Sequence, residues 1–221
     1  MPLSPNFGDR RAGARPDLVV IHYTAMPSCA AAQARLCDPA AEVSAHYLIA
    51  ETGAVIALVP EGMRAWHAGA GAWGAVTDVN SRSIGIELAN SGSAPFPEPQ
   101  MQALIALLSD VRDRWSIPPE RVIGHSDLAP GRKRDPGPRF DWRRLALEGQ
   151  AVWPQPGGDP VRPLDDSLTA IGYPRMDAAT RLAAFRLRFR PWACGPEEAA
   201  DRALAADLAR RFPVDDGPAS A

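Results

Sequence analysis

The sequence predicts an α/β protein built on a mixed β-sheet and followed by a small three-helix module. Residues 18–23 (LVVIHY) form a short, unbroken apolar run rich in β-branched side chains, which suits a buried strand better than a helix. A hairpin pattern follows a helical one, so the sheet should hold both parallel and antiparallel neighbours. Beyond the Pro/Gly-rich stretch 153–163 (WPQPGGDPVRP), only helical periodicities remain.

Each element follows from local pattern. Residues 28–37 (SCAAAQARLC) start with an N-capping serine after Pro27 and continue in strong helix formers. Residues 46–50 and 54–60 flank Glu51-Thr52-Gly53 as a hairpin. Residues 62–74 (GMRAWHAGAGAWG) are too rich in glycine for a stable element, and their two tryptophans suggest a loop offering aromatic surface to a groove. Residues 83–89 (SIGIELA) alternate like a strand, with Glu87 set among apolar neighbours. The clearest helix spans 97–115, where Met101, Leu104, Leu108, Val111 and Trp115 recur every three or four residues. A brief strand at 121–124 runs into His125, a long irregular segment covers 125–142, and a short helix lies near 141–149.

Three helical stretches follow the break, at 164–171, 178–189 and 197–212. Leu182, Phe185 and Phe189 share one face of the second, and Ala200, Leu204, Leu208 and Phe212 share one face of the third. The expected organisation is a catalytic domain over 1–153, a linker over 154–163 and a helical module with its own core over 164–221.

Composition narrows the function. The 221 residues carry a net charge of −2, which gives no reason to expect nucleic acid or an anionic membrane as partner. Residues 160–221 hold nine arginines and nine acidic residues, so the helical module lacks the basic patch of a DNA-binding bundle. The longest apolar runs are strand-sized, so no integral membrane segment is expected. The first 16 residues contain no apolar core of a secretory signal; a cytoplasmic location is expected, with the periplasm as the alternative. The chain is expected to act as a monomer. Cys29 and Cys37 lie on one helix at ~12 Å by the helical rise, too far apart for a disulfide, and free thiols are expected.

Two of the four histidines, His22 and His125, close predicted strands, where α/β proteins tend to place their sites. Either alone would read as a structural residue. Asp135 follows His125 by ten residues in a loop stiffened by Pro130, Pro136 and Pro138, which holds a carboxylate near the second imidazole at low entropic cost. Two histidines and a carboxylate make three ligands, the number that catalytic zinc sites use while leaving a fourth position open. Lys133, the only lysine in the chain, stands two residues before Asp135, where a compact ammonium fills a role that arginine's planar fork fits poorly. Glu87 is a candidate general base beside a metal-activated water, or else an outward-facing edge residue; its spacing does not separate the two.

The segments VIHYTA (20–25), VSAHYLI (43–49), AWHAG (65–69), SIGIELAN (83–90) and GHSDLAPGRKRDPG (124–137) together resemble the type 2 N-acetylmuramoyl-L-alanine amidases, zinc enzymes that share the peptidoglycan-recognition-protein fold. The resemblance covers about residues 16–153. It implies a mixed central sheet with helices on both faces and a surface groove. It implies Zn2+ bound by His22, His125 and Asp135, with Glu87 as catalytic acid/base and Lys133 stabilising the transition state. His67, Asn80 and Trp73 match positions expected along the groove, with His46 beside it; for His46 a structural role under the hairpin is equally open. The implied substrate is peptidoglycan or an anhydro-muropeptide, cleaved between N-acetylmuramic acid and L-alanine during cell-wall turnover or recycling.

Non-catalytic recognition proteins of the same fold lack a complete metal set, so the presence of Asp135 at the third ligand position favours an enzyme over a silent binding protein. A cysteine hydrolase using Cys29 is disfavoured, because that residue falls inside a helix with no evident partner. The last segment resembles the helical peptidoglycan-binding-type module of one branch of these amidases, in IGYP (171–174), AFRLRFRP (184–191) and ADLARRF (206–212). Glycan binding and bracing of the catalytic part are both open for it, with bracing preferred.

Overall fold

From the N-terminus the chain passes through β1 (Phe7–Gly8), β2 (Leu18–Tyr23), α1 (Cys29–Cys37), β3 (Tyr47–Ile49), β4 (Val55–Ala57), β5 (Arg64–Ala65), α2 (Val79–Arg82) and β6 (Ser83–Leu88). It continues through α3 (Glu98–Trp115), β7 (Val122–Gly124), α4 (His125–Leu128), α5 (Trp142–Leu147), α6 (Leu164–Ile171), α7 (Ala178–Phe189) and α8 (Ala199–Arg211). This computed structural model describes residues 4–214; the outer ends of both expected segments, 1–3 and 215–221, lie outside the described residues.

Five strands make one sheet in the order β4-β3-β6-β2-β7. β2 pairs in parallel with β6 and β7, β3 pairs in parallel with β6, and the β3–β4 hairpin adds an antiparallel edge, so the sheet is mixed as expected. β1 and β5 form a separate antiparallel pair, each only two residues long, and β5 falls within the stretch 62–74 expected as loop.

The alternation of side chains along each strand divides the sheet into two unlike faces. Val19 and Ile21 of β2 and Ile84, Ile86 and Leu88 of β6 meet Met101, Leu104, Leu108 and Val111 of α3, with Phe140, Trp142 and Leu145 completing that core. On the other face Leu18 and Val20 of β2 pack against the C-terminal helices, and Leu48 of β3 packs against Ala32 and Leu36 of α1. The residues of β6 that point to this second face are Ser83, Gly85 and Glu87, which are polar or small, and Glu87 borders a hollow lined also by Ala32 and Leu36 of α1 and by residues 132–135.

Several boundaries follow local chemistry. The Ser28 hydroxyl accepts from the Ala31 N–H and starts α1. α3 stops where Ser116 takes a left-handed conformation and returns its N–H to the Arg112 carbonyl. All three cysteines are free thiols. No helix among the described residues is long and apolar enough to cross a membrane.

The expectation that the last three helices enclose a core of their own is corrected by their packing. Leu164, Leu168, Tyr173, Phe185 and Leu208 share one cluster with Leu18, Val20, Trp73, Ile123 and Leu128. An arginine crosses the same junction. The guanidinium of Arg188, on α7, donates to the Asp127 carboxylate at 2.7 Å and to the Val122 carbonyl at 3.1 Å, and it lies over the Trp142 ring at 4.0 Å. The other Asp127 oxygen accepts from the Tyr173 hydroxyl at 2.8 Å. Both partners of the ion pair are buried, so each charge relies on these contacts to offset its lost hydration.

Candidate metal centre

β2 and β7 lie side by side in parallel with Ile21 beside Gly124, so the residues that follow, His22 and His125, sit at the same level of the sheet. His125 opens α4, a single turn closed when the Asp127 carboxylate accepts the Gly124 N–H at 2.8 Å. The Ser126 N–H donates to the Asp135 carbonyl at 2.9 Å, which ties the proline-bearing loop back onto that turn. As a result His22 Nδ1, His125 Nδ1 and Asp135 Oδ2 stand 2.9 Å from one another in a triangle. All three residues are buried, and together they form a group able to hold a metal ion.

The chemistry of this donor set suits a cation. His125 Nε2 stands 2.9 Å from the Ala68 carbonyl oxygen, which can only accept, so the proton of a neutral ring sits on Nε2. Its Nδ1 then turns a lone pair toward the Asp135 carboxylate. Two lone pairs at that distance repel unless a positive charge lies between them, and two imidazoles with a carboxylate are ligand types that zinc takes. Burial, reinforced by the neighbouring His125, lowers His22 to about 4, so this ring is uncharged at neutral pH.

Glu87 stands beside this group on β6, paired in register with His22. One of its carboxylate oxygens is buried without a hydrogen-bond partner. Burial and the charge of Asp135 push its pKa up to about 8, against an opposing pull from Lys133. Lys133 is half-buried in the loop that carries Asp135, where its backbone N–H is held by the Ala129 carbonyl. His22, Glu87, His125, Lys133 and Asp135 all border one cavity of about 420 Å³, into which Tyr23, Trp66 and Arg132 also reach.

The other expected site residues separate into two groups. His67 borders the cavity, yet its ring is turned inward onto His22, with Nδ1 3.0 Å from His22 Nε2. Asn80 is buried under the same loop, and its side-chain oxygen accepts the backbone N–H groups of His67 and Ala68 at 3.1 and 2.8 Å. Trp73 is corrected from groove to core: it is 3 % exposed and meets Tyr173 edge-on at 5.2 Å, so the aromatic surface of that loop comes from Trp66. His46 is likewise structural. Fully buried, it accepts the Gly85 N–H on Nδ1 at 2.9 Å and faces the Met63 carbonyl with Nε2 at 3.1 Å. The sequence reading missed the Ala68 carbonyl, Ser83 and Arg132, none of which belongs to a local pattern.

Known proteins share this chain's sequence and fold. The sequence profile described as N-acetylmuramoyl-L-alanine amidase matches residues 12–138, which contain every residue of the triangle together with Glu87 and Lys133. The N-acetylmuramoyl-L-alanine amidase AmiD of Escherichia coli (strain K12) is 37% identical over 90% of this chain and 84% of its own length. The 1,6-anhydro-N-acetylmuramyl-L-alanine amidase AmpD of Enterobacter cloacae is 34% identical over 64% of this chain and 85% of its own length. The solved structure of AmiD from E. coli, in complex with the substrate anhydro-N-acetylmuramic acid-L-Ala-D-γ-Glu-L-Lys, superposes with a TM-score of 0.82 at 36% identity, covering 92% of this chain and 93% of that one. By sequence match and by fold, this chain belongs to the N-acetylmuramoyl-L-alanine amidase family.

Proposed function

We propose that this enzyme hydrolyses the amide between N-acetylmuramic acid, or its 1,6-anhydro form, and L-alanine of the stem peptide, using zinc held by His22, His125 and Asp135. The observation that carries the reading is the convergence of two imidazole nitrogens and one carboxylate oxygen at the edge of a cavity that also holds an unpartnered carboxylate. The reaction is the one for which the relatives AmiD and AmpD are named, and the AmiD complex contains an anhydromuramyl peptide described as its substrate. Three protein ligands without cysteine suit a catalytic rather than a structural zinc site. Zinc bound there supplies Lewis-acid activation of water near neutral pH.

Glu87 accepts a proton from the attacking water as its oxygen bonds to the lactyl carbonyl carbon. Lys133 donates a hydrogen bond to the carbonyl oxygen as negative charge grows on it, a type of contact worth about 3 kcal/mol in related hydrolytic chemistry. Glu87 then delivers its proton to the alanine nitrogen as the C–N bond breaks, leaving a lactyl carboxyl group and a free peptide amine. A buried carboxyl with an unpartnered oxygen beside the metal-binding group is placed both to take that proton and to return it. Arg132 and Trp66 border the same cavity and offer a hydrogen-bonding and an apolar surface to the sugar and peptide.

The test is digestion of an anhydro-N-acetylmuramyl tripeptide and of intact sacculi, each with and without a chelator, read by mass spectrometry. Release of free tripeptide, lost on chelation and restored by added zinc, is the expected result. Intact substrate after incubation with zinc-loaded protein would overturn the proposal and favour a silent binding protein.

A further inference from the structure

His22 Nε2 faces His67 Nδ1 at 3.0 Å, and the far nitrogen of His67, Nε2, faces the Ser83 hydroxyl at 3.1 Å. The Ser83 hydroxyl in turn donates to the Val79 carbonyl at 2.6 Å. Every group in this row is buried, and each stands within 3.1 Å of its neighbour. The direction of each hydrogen bond can therefore be followed from one end to the other.

The Val79 carbonyl can only accept, so at 2.6 Å it takes the single proton of Ser83. The Ser83 oxygen then has only lone pairs to offer His67, so His67 Nε2 carries that ring's proton. His67 Nδ1 is left as an acceptor, and His22 must present an N–H on Nε2. The remaining nitrogen of His22, Nδ1, is bare and faces His125 and Asp135. Reversing any one link would set two acceptors, or two protons, against each other.

We propose that Ser83 and His67 form a proton-ordered relay that fixes His22 in its Nε2–H tautomer and so presents its Nδ1 lone pair to the metal. The proposal rests on the reading of His22 as a metal ligand. His67 and Ser83 are positioning residues, acting on the metal through His22. The fold supplies this arrangement economically: Asn80 grips the backbone N–H groups of two consecutive residues, His67 and Ala68. The ring of the first orders His22, and the carbonyl of the second orders His125. Gly85 forms the floor under the His67 ring, where a Cβ would come within 2.6 Å of Nδ1.

Long-range 1H–15N correlation spectra of the zinc-free protein report which ring nitrogen carries a proton, and chelator competition reports zinc affinity. The wild-type protein is expected to show His22 protonated on Nε2 alone. Ser83→Ala and His67→Phe are expected to give a mixed His22 tautomer and a 10–100-fold weaker zinc affinity, on the order found for such supporting contacts. Ser83→Thr, which keeps the hydroxyl, and His67→Gln, which keeps an acceptor, are expected to recover most of the loss. Circular dichroism identifies any variant that fails to fold, and the serine pair then decides the question. A wild-type His22 proton on Nδ1, or wild-type zinc affinity in folded Ser83→Ala and His67→Phe proteins, would overturn the relay. Absence of zinc binding in a wild-type protein that shows the Nε2–H tautomer would support the relay and overturn the metal centre instead.

Discussion

Glu87 stands opposite His22 in the parallel pairing of β6 with β2, so the carboxylate and the imidazole rise from the same level of the same sheet face. This pairing puts a buried carboxyl with an unpartnered oxygen next to an imidazole of the candidate metal group. Glu87→Gln keeps the shape and removes the proton chemistry. It is expected to retain stoichiometric metal by elemental analysis while turnover falls about 10²–10⁴-fold, the usual range for a general acid/base. Turnover close to wild type in a metal-loaded Glu87→Gln protein would remove Glu87 from the reaction.

Asp135 faces both imidazoles with a single oxygen. Asp135→Asn replaces an anionic donor with a neutral one, and the expected outcome is loss of most bound zinc on dialysis. Elemental analysis after dialysis against a weak chelator checks it; full retention of the ion would mean that the carboxylate does not hold it.

The zinc-free protein should be most stable near pH 6.5. His22 and His46, each lowered to about 4 by burial, remain neutral in the folded state while unfolded histidines take up protons below about 6.5. Stability from these rings is fully present above that pH and declines as pH falls toward 4, at about 1.4 kcal/mol per pH unit for each ring that gains a proton on unfolding. Glu87 has the opposite sign. Its pKa of about 8 means that the folded state holds a proton the unfolded chain releases above about 4.5, so its contribution declines as pH rises toward 8. Urea unfolding between pH 4.5 and 8 should therefore give a maximum, and Glu87→Gln should flatten the branch above pH 6.5. A profile unchanged by that substitution would contradict the raised pKa.

Arg188 and Asp127 form a buried pair across the junction between the sheet and the C-terminal helices. Arg188→Met leaves the carboxylate with only the Gly124 N–H and the Tyr173 hydroxyl, and should cost about 3–5 kcal/mol in urea unfolding. Because Asp127 lies two residues beyond His125 on the same turn, zinc affinity should fall as well. A loss below about 1 kcal/mol would show that the pair contributes little net stability.

Gly85→Ala places a methyl group against the His67 ring. The expected cost is about 1–3 kcal/mol from overpacking, accompanied by weaker zinc binding because the ring that orders His22 must move. Reduced stability with unchanged zinc affinity would separate packing at this point from the metal centre.

Much of this arrangement can be read from the chain before folding. The LVVIHY run, the hairpin around Glu51-Thr52-Gly53 and the Met101-to-Val111 spacing each encode an element through their own periodicity, and all three formed as expected. His22 and His125 were legible because both sit where a strand meets a turn, and Asp135 because prolines bracket it. What escaped notice depends on contacts between distant segments. β1 and β5 are too short to show a period and exist only as each other's partner. Trp66 and Trp73 have similar surroundings in sequence, and only tertiary packing turns one to the cavity and the other to Tyr173. The amphipathic faces of α7 and α8 were visible, but not that they would cover the sheet rather than only each other. Arg188 looks like a solvated helix residue until Asp127 arrives from another part of the fold.

The alternation along β6 gives this enzyme an uncommon vulnerability. Ser83, Gly85 and Glu87 are three successive positions on one side of a single strand, so the hydroxyl that meets the His67 ring, the bare backbone beneath that ring and the buried carboxyl beside the candidate metal group all depend on the same register. Inserting or deleting one residue upstream within that strand would rotate all three toward α3 and bring isoleucines into the hollow. Side-chain replacements can alter these tasks one at a time, but a frame slip of a single position would abolish them together.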